Sequence, residues 1–88
     1  MEVRFILGED KYVKLKIYSQ KNEQFVIEDA TYELTMGNEV VEEGSASIDG
    51  HYISVKLCPK KTGFHMLTIT YNVADTVRKV KVKVDVVR

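Results

Sequence analysis

The chain has 88 residues, 44% hydrophobic and 30% charged, and its 13 Lys plus Arg balance 13 Asp plus Glu. That length supports one domain around a single core, the composition is too apolar for disorder and too charged for a membrane span, and the even balance gives no drive toward phosphate backbones or anionic lipid. The single cysteine, Cys58, excludes an internal disulfide, so packing must hold the fold.

The first apolar run, Val3 to Leu7, sets Val3, Phe5 and Leu7 against Arg4 and Ile6, and Gly8, Glu9 and Asp10 end it. Tyr12 to Ser19 alternates again. Val13, Leu15 and Ile17 face inward there, and Tyr12, Lys14, Lys16 and Tyr18 face outward. Ser19 to Gln24 reads as a polar loop, and Phe25, Val26 and Ile27 supply an apolar anchor in an irregular crossing segment. Ala30 to Met36 places Ala30, Tyr32, Leu34 and Met36 on one side and Thr31, Glu33 and Thr35 on the other, before a turn at Gly37, Asn38 and Glu39. Val40 to Ile48 alternates less well because Glu42, Glu43 and Gly44 interrupt it, which suits a single edge strand. Asp49-Gly50 predicts a two-residue hairpin turn with antiparallel strands on either side.

His51 to Leu57 carries Ile53, Val55 and Leu57 inward, and the only proline, Pro59, lies in the break after it. Phe64 to Val73 is partly apolar on both sides, with His65, Leu67, Ile69, Tyr71 and Val73 opposed to Phe64, Met66, Thr68 and Thr70, as in a central strand. Ala74, Asp75 and Thr76 turn the chain into its last run. There Val80, Val82, Val84 and Val86 face a core and Lys79, Lys81 and Lys83 face water. No window has helical periodicity, and so many inward apolar positions need two facing sheets, since one open sheet would leave half of them wet.

Asp49-Gly50, Thr62-Gly63, Leu67 and Ile69 together resemble a passage of immunoglobulin-like modules from bacterial surface proteins and phage virion proteins. Its pattern there is roughly Asp-Gly-x-Tyr, then Thr-Gly-x-Tyr-x-hydrophobic-x-hydrophobic. His65 departs from it by standing where the second tyrosine usually sits. The passage from Ile27 to Tyr32 is also similar to the start of the third strand in phage-type modules. The resemblance runs from Lys11 to Val87 and implies an all-β, immunoglobulin-like antiparallel β-sandwich of about seven strands, one domain over residues 1–88. It further implies a non-enzymatic role in decorating, spacing or connecting a larger assembly, a virion or an exported bacterial protein. No secretory apolar stretch follows Met1, which predicts cytoplasmic synthesis or a piece of an exported protein.

Candidate chemistry is sparse. His51, Cys58 and His65 are the only soft metal ligands, fewer than the four of a structural zinc site, and the two histidines are expected at opposite-running ends of neighbouring strands. No catalytic, metal or cofactor site is expected, because no nucleophile, base and orienting group converge. Tyr12, Lys14, Lys16, Tyr18, Tyr52 and Lys56 would share one outer sheet face, where aromatics among cations suit a protein interface or a carbohydrate-stacking platform and equally an ordinary solvated exterior. Lys79, Lys81 and Lys83 form a second basic ridge, and Phe64 and Met66 offer an apolar anchor unless the crossing segment covers them. Glu33, Glu39, Glu42 and Glu43 gather on the side opposite that ridge. Acidic and basic edges of one sheet would then permit weak self-association or docking of a neighbouring module, so the expected partner is protein, without nucleic acid or membrane insertion.

Overall fold

The computed structural model describes residues 2–18 and 25–88; the polar loop expected at 19–24 lies outside the described residues. The described residues form eight strands and no helix: β1 (Glu2–Ile6), β2 (Lys11–Lys16), β3 (Ile27–Met36), β4 (Glu39–Ser45), β5 (Ser47–Asp49), β6 (Tyr52–Leu57), β7 (Gly63–Val73) and β8 (Thr76–Val87). They make two sheets, one of five strands in the order β1-β8-β7-β3-β4 and one of three in the order β2-β6-β5.

Alternation decides which side chains lie between the sheets. Phe5, Leu34, Leu67, Ile69, Val82 and Val84 of the larger sheet are fully buried, and Ile53, Val55 and Leu57 of the smaller sheet meet them in one core cluster. The strict period-2 runs of β2, β7 and β8 therefore fall as expected, with valine, leucine and isoleucine inside and lysine outside. His65 takes an inward position on β7 and is 3% exposed, its Nδ1 lying 3.1 Å from the Gly63 carbonyl oxygen.

Four local expectations change. The segment Val40 to Ile48 is two strands, because the chain leaves β4 at Ala46 and crosses to the smaller sheet, where β5 pairs with β6. The Ala46 N–H donates to the Ala30 carbonyl at 2.9 Å and holds that crossing against β3. The hairpin turn after β5 is centred one residue later than Asp49-Gly50: Asp49 stays paired with Tyr52, leaving Gly50 and His51 as the two central residues. Only Gly50 has a positive φ, 61°, the glycine-first arrangement of a type II′ hairpin. Leu7 falls beyond β1 and is partly exposed. Finally, β8 is no edge. β1 adds to it in parallel, from Glu2 beside Lys83 to Ile6 beside Val87, so the edges of the larger sheet are β1 and β4.

A face-to-face stack ties the crossing segment to the β5–β6 turn. The rings of Phe25 and His51 are 4.1 Å apart and 9° from parallel, and His51 Nε2 lies 3.1 Å from the Phe25 carbonyl oxygen. The backbone N–H of Ile17 donates to the His51 carbonyl at 2.8 Å, so the turn also anchors the end of β2.

Candidate functional site

The residues singled out as a partner surface divide between the two outer faces of the molecule. On the smaller sheet, Tyr12 lies beside Lys56, Lys14 beside Ser54 and Lys16 beside Tyr52, with Tyr18 just beyond β2. The lysine heads fold over the rings: Lys14 Nζ is 4.7 Å and Lys16 Nζ 5.8 Å from the Tyr52 centroid, Lys16 is 5.2 Å from Tyr18, and Lys56 is 5.8 Å from Tyr12. Cation–π contacts at such exposed sites are each worth about 0.5–1 kcal/mol. These tyrosines thus already have cationic partners within their own sheet.

The larger sheet presents Phe64 and Met66 on β7 beside Lys79, Lys81 and Lys83 on β8, all outward. Phe64 is 60% exposed, so the crossing segment does not cover it; Lys83 Nζ sits 4.2 Å from its centroid. Antiparallel pairing lays these residues out in rows across the strands. Glu43, Glu33, Thr68 and Lys81 occupy one row over β4, β3, β7 and β8, and Ser45, Thr31, Thr70 and Lys79 the next. Val40, Thr35, Met66, Lys83 and Glu2 form a third, which reaches β1.

The charges expected at opposite sheet edges are arranged differently. Lys79, Lys81 and Lys83 project from an inner strand, and only two of the four glutamates, Glu33 and Glu43, share their face. Adjacent Glu42 and Glu43 face opposite sides by alternation, and Glu39 pairs with Met36 on the inner side. A bulge between β3 and β4, with Leu34 paired to Glu42, Thr35 to Val40 and Val41 extra, decides that Glu42 and not Glu43 turns inward relative to the β3–β4 turn. Glu42 is consequently half-buried; its Oε1 accepts from the Cys58 N–H at 3.3 Å, and its Oε2 is buried with no hydrogen-bond partner among the described residues. Glu39 borders a separate depression of about 250 Å³ shared with Lys60, Lys61 and His65.

Glu33 and Glu43 stand directly opposite each other, a like-charge pair that disfavours the isolated sheet. Lys81 lies two strands from Glu33, roughly 10 Å at the usual strand spacing, too far for an ion pair across Thr68. Between the acidic and basic columns runs an open groove of about 520 Å³, floored by Thr68 and Thr70. The ion pairs found among the described residues, Arg4 with Asp85, Lys11 with Glu9 and Lys56 with Asp10, include none of Glu33, Glu43, Lys79 or Lys81. On the inner side of the same strands, Tyr32 packs against the core and crosses over Gly44 on the edge strand, where an added Cβ would come within 3.3 Å of the ring. Burial raises the Tyr32 hydroxyl above the usual tyrosine range, and the Glu42 charge adds to the effect.

His51, Cys58 and His65 do not converge. His51 precedes β6 and Cys58 follows it, about 20 Å along a strand of that length, and His51 lies in a turn of the smaller sheet while His65 lies on β7 of the larger, not on a neighbouring strand. The Cys58 thiol is half-buried, with Lys60 Nζ 3.3 Å from its Sγ. Three apolar residues of the outer face went unmarked in the sequence: Ile6, Val40 and Val77 are exposed beside the rows of charge. For Ile6 the signal was present, since it sits out of step with Val3 and Phe5.

No family model matches the chain, and no curated protein matches it. Two solved structures do. The crystal structure of an engineered protein is similar over 98% of this chain at a TM-score of 0.78 and 17% identity. The crystal structure of a "putative glycoside hydrolase" from Bacteroides vulgatus is similar over 98% at 0.61 and 15%. This chain spans 18% and 17% of the length of those two chains. At such identities the likeness bears on the fold alone.

Proposed function

We propose that the chain is an immunoglobulin-like sandwich module whose role is protein contact, without catalysis, as a structural or connecting unit of a larger assembly such as a virion or an exported bacterial protein. The strand order supports the fold reading: β2, β6 and β5 take the places of strands B, E and D, and β3, β7 and β8 those of C, F and G, with β4 added as in variable-type domains. The disulfide of antibody domains has no counterpart here, since Cys58 is the only cysteine. Both similar structures are several times longer than this chain, which favours a unit used within bigger proteins.

The observation that carries the contact reading is the outer face of the five-stranded sheet. It sets exposed Phe64, Met66 and Val40 beside columns of acid and base that have no ion-pair partners within the described residues. Carbohydrate binding through Tyr12, Tyr18 and Tyr52 is the second reading, favoured by the exposure of those rings. The lysine heads lying over them weigh against a bare stacking platform.

Photo-crosslinking from position 66 in the source cells, with a glycan array in parallel, separates the two. Polypeptide adducts of defined mass that disappear when the photoreactive group is moved to position 12 are expected. Glycan binding that is lost on Tyr12→Ala, Tyr18→Ala and Tyr52→Ala, with no adduct from position 66, would replace the contact reading by the carbohydrate one.

A further inference from the structure

From the register of the larger sheet we infer that its outer face binds a second copy of this chain, face to face, about a two-fold axis running along β7. This inference rests on the contact reading above and names the partner for that surface.

The symmetry follows from where the charges lie. Glu33 on β3 and Lys81 on β8 flank Thr68 on β7 at equal strand spacing and in the same row. Rotation by 180° about an axis along β7 keeps each row at its height and exchanges its left and right halves. Lys81 of the second copy is thereby set over Glu33 of the first, and Glu33 of the second over Lys81 of the first. Neither residue needs an ion-pair partner in its own chain, and the strand between them prevents one. The same operation brings Lys79 and Lys83 of the second copy over Thr31 and Thr35, on either side of the Glu33–Glu43 repulsion.

Along the axis itself, Met66, Thr68 and Thr70 would meet their own equivalents, an apolar and hydroxyl seam without like charges facing each other. A long lysine above a glutamate fits the separation of about 10 Å between stacked sheets. Pairing of an acidic edge with a basic edge, the arrangement expected from the sequence, has no basic edge to use, because β1 covers β8.

The size of the face sets the strength. β1 joins the face only from the Lys83 row and β3 and β4 reach only that far, so the face is smaller than a full five-strand rectangle of roughly 19 by 20 Å and buries less than about 800 Å² for both copies together, which belongs to weak, transient contacts. The dimer should form toward millimolar protein, and salt should weaken it because its main contacts are ion pairs across a small interface that water still reaches.

Sedimentation equilibrium from micromolar to millimolar protein, at low and high salt, tests this with Glu33→Lys, Lys81→Glu and the double variant. Each substitution acts twice by symmetry, so each single variant should dimerise at least about tenfold more weakly than the parent. Double exchange restores opposite charges and should restore association. Mixing the two single variants should give a heterodimer, since a face with two bases then meets a face with two acids; this arm also shows that both variants are folded. A parent that stays monomeric at low salt and millimolar concentration would overturn the inference, as would a dimer indifferent to all three variants or a mixture that does not associate. If the parent is monomeric while position 66 still crosslinks to a different polypeptide, the second copy is the wrong partner and the contact reading stands. If neither occurs, both fall.

Discussion

Replacing Leu67 with alanine should cost far more than the same replacement at its neighbour Met66. Leu67 lies in a row with Leu34 and Val82 across β7, β3 and β8, and all three are 0% exposed. The change removes about three methyl-sized groups, roughly 2.4 kcal/mol of transfer free energy, and the space left between two sheets adds a cavity cost, bringing the total to about 3 kcal/mol. A chain of this length has a total stability of about 4–13 kcal/mol, so the loss is a large fraction of it. The expected fall in Tm is roughly 12–24 °C. Met66 points the other way and is 39% exposed, so Met66→Ala should cost less than about 1 kcal/mol and move Tm by only a few degrees. Urea unfolding followed by far-ultraviolet circular dichroism measures both, and the slope against denaturant should be unchanged in either variant. Equal losses at 66 and 67, or a larger loss at 66, would refute the placement of β7 between a dry side and a wet side.

Three further outcomes are expected. Ala74 is the one non-glycine residue with a positive φ, 53°, among the described residues, and Ala74→Gly should stabilise by up to about 1 kcal/mol by urea unfolding, the relief of left-handed strain exceeding the added freedom of the unfolded chain. Gly63 has φ 117° and an added Cβ would lie 3.0 Å from the Met36 methyl, so Gly63→Ala should destabilise by about 1–2 kcal/mol, mostly through the backbone because the methionine tip can move aside. The hydroxyl of Tyr32 is raised by burial first and by Glu42 second, so the folded state holds that proton more tightly than the unfolded chain. Its contribution is intact below the unfolded value near 10 and is lost as pH rises through the folded value. Tyr32→Phe should therefore flatten the alkaline fall in stability and leave the neutral region's slope with pH unchanged, as read from denaturation midpoints across alkaline pH.

The interior was legible because period-2 alternation states facing directly: Val13, Leu15, Leu67, Ile69, Val82 and Val84 needed no tertiary information to be placed inside. Neighbour relations are not written that way. Nothing in Glu2 to Ile6 distinguishes a strand running parallel to β8 from one lying elsewhere, and so the lysines of β8 read as an edge they do not form. The split at Ala46 was equally silent, since a strand that changes sheets keeps its composition. The bulge at Val41 had the largest effect on the candidate surface. It turned Glu42 inward and left Glu33 and Glu43 as the acids of that face, a parity change that needs the β3 register to detect. The columns of charge could be suspected from Glu33 and Lys81 in the sequence, but their equal spacing about Thr68 could not.

Cysteine scanning of positions 64 to 71, in a Cys58→Ser background, probes the placement of β7 between interior and solvent. With a small thiol reagent under native conditions, cysteines at 64, 66, 68 and 70 should react quickly, and those at 65, 67, 69 and 71 only at the rate of global unfolding. Reactivity that fails to alternate along these eight positions, or that alternates in the opposite phase, would contradict a two-sheet interior with the charged rows outside.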